Sequence, residues 1–189
     1  MFFKRKKKIV SAKQEIALEP FTKADLKQLI LWITSPHLLV QWGGPKFQYP
    51  LSKRQLKIHM QEAFDSPDTK KIFKVVNTVT EEHIGHCELE DIDQEKKTAK
   101  LTRLLVGAKE CRGLGRGEQI TSKLLKYAFE ELGLETVSLN VFAYNKTAIY
   151  CYQKVGFQVV DVQKEMREFA GEQYDLLLMK ITKSIFQGQ

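Results

Sequence analysis

Three glycines at alternate positions, Gly113, Gly115 and Gly117, precede a helical pattern in the stretch RLLVGAKECRGLGRGEQI (103–120). Glycine lets a backbone approach a ligand closely, and the first turn of a helix offers unpaired N–H groups at the positive end of its dipole. This combination is typical of a phosphate-binding loop, with a purely structural tight turn as the alternative. The spacing excludes two nucleotide motifs. The third glycine comes one position early for G-x-G-x-x-G, and no Lys-Ser or Lys-Thr follows as a P-loop requires.

A second pattern, NKTAIYCYQKVGF, follows at 145–157 after one more predicted strand. Together the two patterns resemble the signature of the GNAT N-acetyltransferase superfamily. The first half of that signature is matched by Arg112-x-x-Gly115-x-Gly117. The second half, Asn-x-x-Ala-x-x-x-Tyr-x-x-x-Gly-Phe, is matched by Asn145, Ala148, Tyr152, Gly156 and Phe157. The resemblance implies acetyl-CoA as the acyl donor and an amine as the acceptor, joined by direct attack in a ternary complex.

The resemblance also implies where coenzyme A binds. The family's fourth strand pairs its main chain with the pantetheine arm, and the glycine loop wraps the pyrophosphate. The cofactor-binding positions implied in this way are Leu104, Leu105, Val106, Arg112, Gly113, Leu114, Gly115, Arg116, Gly117 and Asn145. A buried strand is compatible with this role for the first three, because the ligand uses their main chain. Asn145 is equally well interpreted as a plain helix N-cap.

Acetyl transfer needs an unprotonated amine, stabilisation of the carbonyl oxygen and a proton for the departing thiolate. The resemblance places the hydroxyl of Tyr152 beside the thioester sulfur, and a phenol with a pKa of about 10 is protonated at neutral pH. Tyr152 is therefore the predicted general acid, with a core packing role as the alternative. A main-chain N–H near Val106 is the predicted oxyanion donor. Glu88 is the first candidate for the base, with a solvated strand face as the alternative, and we assign no role to His83 or His86.

The acceptor is expected to contact the segment 35–51, which the sequence predicts to be a loop. Trp42 and Tyr49 are the predicted acceptor contacts, because aromatic rings around two glycines can line an apolar slot. Packing of the segment is the alternative interpretation. The loop contains no acidic cluster that would indicate a polyamine or an aminoglycoside as the acceptor. The acceptor is therefore predicted only as a small-molecule or protein amine.

These residues need a framework, and the hydrophobic pattern predicts the element order β-α-α-β-β-β-α-β-α-β-β. Ser52 with Gln55 forms a capping box, and Gly133 and Gly156 are suited to end helices. The predicted fold class is α/β (α+β). The resemblance specifies it as a GNAT fold, a mixed and mostly antiparallel sheet of about seven strands flanked by four helices. Residues 15–189 are interpreted as one domain that follows a basic tail at 1–14.

Composition limits the function classes further. The 189 residues carry a formal charge of +7, and five of these charges lie in the tail, at Lys4, Arg5, Lys6, Lys7 and Lys8. A solvated tail is favoured over attraction to RNA or an anionic membrane, so no specific nucleic-acid partner is expected. No apolar run approaches the roughly 20 residues of a membrane span, and a cytoplasmic location is expected.

We assign the three cysteines no chemistry and predict no metal site. A homodimer is compatible with the sequence, and the main alternative to an enzyme is a non-catalytic acyl-CoA sensor.

Overall fold

A computed structural model describes residues 15–169 and 171–188, and seven strands of this part form one mixed sheet. The strands are β1 (Ile16–Pro20), β2 (Lys71–Asn77), β3 (His83–Asp93), β4 (Thr98–Val106), β5 (Thr136–Phe142), β6 (Gln158–Phe169) and β7 (Glu172–Thr182). Their order across the sheet is β1-β2-β3-β4-β5-β7-β6, and only the β4–β5 pair is parallel. The predicted α/β class and mostly antiparallel seven-stranded sheet are confirmed. The predicted basic tail lies outside the described residues.

Six helices accompany the sheet in the described residues, two more than the sequence pattern indicated. They are α1 (Leu26–Trp32), α2 (Pro36–Gly43), α3 (Lys53–Asp65), α4 (Arg116–Lys126), α5 (Lys146–Lys154) and α6 (Lys183–Gln187). A π-helical stretch, Tyr127–Glu131, extends α4. The N-caps of α3 and α5 are present: Ser52 accepts a hydrogen bond from the Gln55 amide at 3.3 Å, and Asn145 accepts one from the Ala148 amide at 3.2 Å. The Gln55 side chain does not complete the predicted capping box, because its Oε1 accepts from the Gln48 amide at 2.8 Å.

Helix α2 lies inside the segment 35–51 that the sequence indicated as a loop. The Ser35 hydroxyl accepts a hydrogen bond from the Leu38 amide at 3.1 Å, and Pro36 occupies the first helical position. A serine N-cap followed by proline is a favourable helix start, because proline lacks only an N–H that has no partner in the first turn. The prediction of a loop was wrong here, because it followed the two glycines and the aromatic residues instead of this helix start signal.

The sheet separates two apolar clusters. The larger one, beneath α4 and α5, includes Cys87, Leu124 and Phe129, each at most 1% exposed. The second one, formed with α1, α2 and α3, includes Leu29 and Leu105. Alternate residues of one strand reach opposite faces, so a single sheet can serve both clusters. None of the described helices has the length and apolar character needed to cross a bilayer.

Candidate active site

Strands β4 and β5 pair over three residues each and then separate. Residues 98–100 lie opposite 136–138, and no later residues of the two strands are paired. On its other side β4 remains paired with β3, where Leu105 lies opposite His86 and Val106 opposite Gly85. A gap therefore opens toward the C-terminal ends of β4 and β5. Leu104, Leu105 and Val106, the predicted pantetheine contacts, lie along one side of this gap.

The loop that follows β4 leads into the N-terminus of α4, where Gly115 is the N-cap. Gly113 and Gly115 have φ angles of +75° and +71°, in a region that L side chains rarely adopt. An added Cβ at either position would meet no atom within 4 Å, so the space in front of the loop is open. Two left-handed glycines beside the first-turn N–H groups of a helix form a suitable cradle for an anion such as a pyrophosphate.

Arg112 lies at the junction of this cradle and the gap. Its Nε donates to the Val106 carbonyl at 2.9 Å, and its Nη2 donates to the Gly107 carbonyl at 3.2 Å. Arg112 and Gly107 also border a pocket of about 560 Å³, which Trp32 and His83 line from the other side. The guanidinium is thus held at the end of β4, next to the open cradle, where a positive charge favours an anionic ligand.

The remaining predicted loop residues contribute mainly structure. Arg116 is 1% exposed and donates through Nη1 to Gln119 at 2.6 Å, so its main chain rather than its charge faces the loop. A Cβ on Gly117 would lie 3.0 Å from the sulfur of Cys151, so this glycine lets α4 approach α5 closely. Leu114 is half-buried. These contacts join the helical end of the loop to α4 and α5.

Tyr152 lies on α5 and is 8% exposed, with its ring 5.8 Å from that of Phe157. Burial raises the pKa of its hydroxyl, and the nearby thiols of Cys151 and Cys87 raise it further. The hydroxyl therefore stays protonated at neutral pH. It makes no hydrogen bond to any residue of the described chain. A neutral phenol whose proton is uncommitted is in the state that a general acid requires.

Glu88 lies at the centre of a buried polar network on the other face of the sheet. Both of its oxygens are 2.9 Å from His59 Nε2, His86 Nε2 donates to Oε1 at 2.8 Å, and Arg103 donates to Oε2 at 2.9 Å. Burial alone would raise the pKa of Glu88, but hydrogen bonds from the two histidines and the charge of Arg103 hold that pKa well below its usual range. Glu88 is therefore a buried carboxylate and not part of a solvated strand face.

The network continues from Glu88 to solvent. His59 Nδ1 accepts a hydrogen bond from Lys70 Nζ at 3.0 Å, and Lys70 also lies 2.8 Å from Glu90. Lys70 and Glu90 line a polar pocket of about 360 Å³. His59, Glu88 and Glu90 are close enough together to share a metal ion. However, Lys70 and Arg103 already pair with these carboxylates, so we assign no metal to them.

His86 is 1% exposed and has one ring nitrogen, Nδ1, with no hydrogen-bond partner among the described residues. Its ring lies edge-on to Phe21 at 4.8 Å and to Trp42 at 5.6 Å. Because Nε2 donates to Glu88, Nδ1 is the nitrogen that carries the lone pair. His86 is thus oriented by Glu88 and held between the rings of Phe21 and Trp42.

Trp42 is 6% exposed and belongs to the second apolar cluster. Its indole N–H donates to the Arg103 carbonyl at 2.9 Å, and its ring stacks on Phe47 at 5.3 Å. Arg103 has a φ of +50° where the β3–β4 register shifts, so Trp42 anchors α2 to a bulge in β4. Tyr49, by contrast, is 47% exposed and bonds through its hydroxyl to the Thr34 carbonyl at 3.3 Å. The structure does not bring these two predicted acceptor contacts together.

Sequence reasoning missed His59 and Arg103. His59 comes three residues after Leu56, and both are buried on the same face of α3, so a histidine at an apolar helical position was the available signal. Arg103 directly precedes the apolar residues 104–106 of β4, and its guanidinium lies over the ring of Phe47 in the second cluster. Its partner Glu88 is 15 residues away in sequence and His59 is 29 residues from Glu88, so neither pairing follows from local spacing.

Comparison with known proteins gives consistent findings. The model of the acetyltransferase (GNAT) domain family matches residues 15–158. The uncharacterized N-acetyltransferase YdgE of Bacillus subtilis (strain 168) is 40% identical over 52 residues, which are 28% of this chain and 32% of that protein. The uncharacterized N-acetyltransferase p20 of Bacillus licheniformis is 25% identical over 116 residues, or 61% of this chain and 64% of that protein. The matched residues thus span about a third of the length of YdgE and just under two thirds of the length of p20.

Solved structures share the fold. The spermidine N-acetyltransferase of Vibrio cholerae in complex with CoA and spermine superposes with a TM-score of 0.80 at 22% identity, covering 92% of this chain and 98% of that one. A dodecameric structure of the Vibrio cholerae enzyme in an intermediate state gives a TM-score of 0.73 at 21% identity, with 90% and 95% covered.

Proposed function

Because this chain belongs to the GNAT acetyltransferase family, we propose that it is an enzyme that transfers an acetyl group from acetyl-CoA to an amine. The observation that carries the proposal is the continuity of the gap between β4 and β5 with the open glycine cradle at the start of α4. The gap exposes a strand edge and the cradle offers an anion site, which is the pairing that a pantetheine arm and its pyrophosphate require. Acetyl-CoA supplies the acetyl group as an activated thioester.

The chain's own residues bind and orient this donor. The main chain of 104–106 offers hydrogen bonds on the gap side, and the loop 112–117 offers N–H groups and the guanidinium of Arg112. Asn145 is used as an N-cap and contributes by fixing the start of α5, which carries Tyr152. A main-chain N–H near Val106 stabilises the charge that develops on the carbonyl oxygen. Fixed donors are effective at this task, because they need no reorganisation as the charge forms.

Two proton transfers complete the reaction. Tyr152 donates its proton to the departing thiolate, so its raised pKa is an advantage because the hydroxyl is never ionised before the transfer. Glu88 is the carboxylate that supports proton removal from the attacking amine. Glu88 itself is fully buried, so the proton reaches it through the hydrogen bonds of its network rather than by direct contact with the amine. The hydrogen bonds from Glu88 through His59 to Lys70 lead to the polar pocket.

The direct test combines the chain with acetyl-CoA and a panel of amines and measures the release of free thiol. Release above the hydrolysis background with any amine supports the proposal. Binding of coenzyme A without release for any amine would instead identify a non-catalytic acyl-CoA-binding protein. The absence of both would remove the proposal. The acceptor is left as an amine at this point, since Trp42 is buried and Tyr49 lies apart from it.

A further inference from the structure

Five aromatic rings meet at the wide end of the gap between β4 and β5. Phe142 is the last residue of β5 and Tyr144 follows it by two residues. Phe169 and Tyr174 come from β6 and β7, and His37 comes from the first turn of α2. These five residues, His37, Phe142, Tyr144, Phe169 and Tyr174, are called the aromatic group below. They lie on elements that are far apart in sequence, so only the fold brings them together.

The rings of the aromatic group are in contact with one another. Tyr144 is the central ring, with centroid distances of 5.2 Å to Phe142, 5.3 Å to Tyr174 and 5.5 Å to His37. The His37 ring also lies 6.1 Å from that of Phe169. The group is not sealed inside the core, because Tyr144 is 37% exposed and His37 is exposed as well. A ligand at the mouth of the gap can therefore reach ring surface.

The described part of the chain supplies no cation of its own to these rings. Elsewhere it does so twice, since the Arg103 guanidinium lies 5.8 Å from the centroid of Phe47 and Lys154 Nζ lies 4.9 Å from that of Tyr150. Within residues 15–169 and 171–188, neither lysine nor arginine takes such a position over the aromatic group. The faces of aromatic rings carry negative electrostatic potential, so this group is suited to a cation from outside the chain.

Carboxylates strengthen that preference. The hydroxyl of Tyr174 donates to Glu172 at 2.8 Å, which fixes a negative charge beside the rings. The chain as a whole is basic, yet the stretch 161–175 of the β6–β7 hairpin has five carboxylates and only two basic residues. One of the five, Asp175, is engaged by the Glu165 amide at 2.9 Å, whereas Glu172 is exposed. Glu172 therefore places a negative charge beside the ring faces, while Arg167, opposite Tyr174 in the β6–β7 register, donates to the Met166 carbonyl.

We propose that the aromatic group, together with Glu172, binds a second, non-reacting cationic nitrogen of the acceptor, so that the preferred acceptors are aliphatic amines with two positive charges. This inference rests on the proposed function, because it assumes that an amine is acetylated in the adjacent gap. Apart from His37, the residues of this site lie outside the segment 35–51, in which the acceptor contacts were predicted. The reacting nitrogen loses its proton in the gap while the second nitrogen keeps its charge against the rings.

The experiment compares an alkyl monoamine with α,ω-diamines of three to eight carbons, using thiol release from acetyl-CoA and kcat/KM as the readout. A cation–aromatic contact that is partly exposed favours the diamine by about 3- to 30-fold. The preference should peak at one chain length, because the gap and the aromatic group are held at a fixed separation. Tyr144→Leu, which keeps apolar volume but removes the ring, should bring the ratio close to one. Tyr144→Phe should preserve it.

Two carboxylate variants separate a specific contact from a general field. Glu172→Gln should lower the diamine preference, whereas Glu168→Gln, an exposed carboxylate of the same hairpin without an aromatic partner, should leave it nearly unchanged. Thermal melting and coenzyme A binding confirm that each variant folds and holds the donor. Thiol release with equal efficiency for both amine types, or a preference that survives Tyr144→Leu, would overturn this inference and leave the proposed function standing. No release with any amine would overturn the proposed function itself.

Discussion

Gly115 offers a test of the cradle in which backbone strain and ligand blocking can be separated. Alanine at this position would have to adopt a φ of +71°, which costs an L residue about 1–2 kcal/mol. For a chain of this size that loss lowers the melting temperature by about 2 to 8 °C. The added Cβ itself meets no protein atom. It projects into the open space where the pyrophosphate is proposed to bind, so affinity for coenzyme A should fall in addition to stability.

The size of the ligand effect follows from mass action. Coenzyme A at 100 times its dissociation constant stabilises the native state by about 2.7 kcal/mol, or roughly 5 to 11 °C in melting temperature. A tenfold weaker affinity in Gly115→Ala halves this, to about 1.4 kcal/mol at the same concentration. The assay is thermal melting with and without coenzyme A, and the quantity compared is the ligand-induced shift.

Gly133 provides the matched control. Its φ is +67°, an added Cβ there also meets nothing within 4 Å, and it lies past the other end of α4, roughly 25 Å away along the helix. Gly133→Ala should therefore lose similar stability but keep the full coenzyme A shift. A full shift in Gly115→Ala would refute the pyrophosphate assignment. A shift lost equally in both variants would show that strain, and not blocking, is responsible.

Three further predictions concern the chemistry and its support. Tyr152→Phe should keep coenzyme A affinity while kcat falls by about 10²-fold, the lower end for general acid catalysis; full activity at saturating substrates would remove the general-acid role. Trp42→Phe retains a ring but leaves the Arg103 carbonyl without its N–H partner, so the free energy of unfolding should fall by about 1–3 kcal/mol. Because Trp42 anchors α2, which carries His37 of the aromatic group, the acceptor KM should rise while calorimetry shows unchanged acetyl-CoA affinity; a loss of cofactor affinity instead would place α2 on the cofactor side. The folded-state pKa of Glu88 lies below its unfolded value, so its contribution to stability is present above the unfolded pKa and is lost as the pH falls through the folded pKa. Glu88→Gln should therefore be less stable by about 3–5 kcal/mol at neutral pH, and its unfolding free energy should change less than that of the wild type as the pH is lowered. The same acid dependence in both proteins would show that Glu88 is not the group that titrates.

Sequence spacing predicted the parts of the site that depend on local geometry. The alternate glycines indicated a tight loop before a helix, and Gly113 and Gly115 adopt positive φ angles in such a loop. For Asn145 an N-cap was one of two interpretations, beside a cofactor contact, and the structure shows the cap. In each case the physical cause lies within a few residues of the signal, so one stretch of sequence contains it.

The rest of the site depends on contacts between distant residues. The burial of Glu88 requires His59 from α3 and Arg103 from β4, and alternation along β3 alone was equally compatible with a solvated face. The aromatic group requires α2, β5, β6 and β7 to meet at one end of the gap. The segment 35–51 shows a different limit, because it contains two opposing signals. Ser35 and Pro36 favour a helix start, whereas the glycines that follow are typical of a loop.

The division of the apolar side chains between two faces of one sheet has a consequence for protein engineering. The cluster beneath α4 and α5 and the cluster formed with α1, α2 and α3 have no buried side chain in common. Substitutions in separate clusters without shared partners usually change the unfolding free energy additively, within about 0.3–0.5 kcal/mol. Variant libraries for the two faces can therefore be screened independently and their best members combined. Stabilising changes beneath α4 would then offset the losses that accompany a redesigned α1–α3 face.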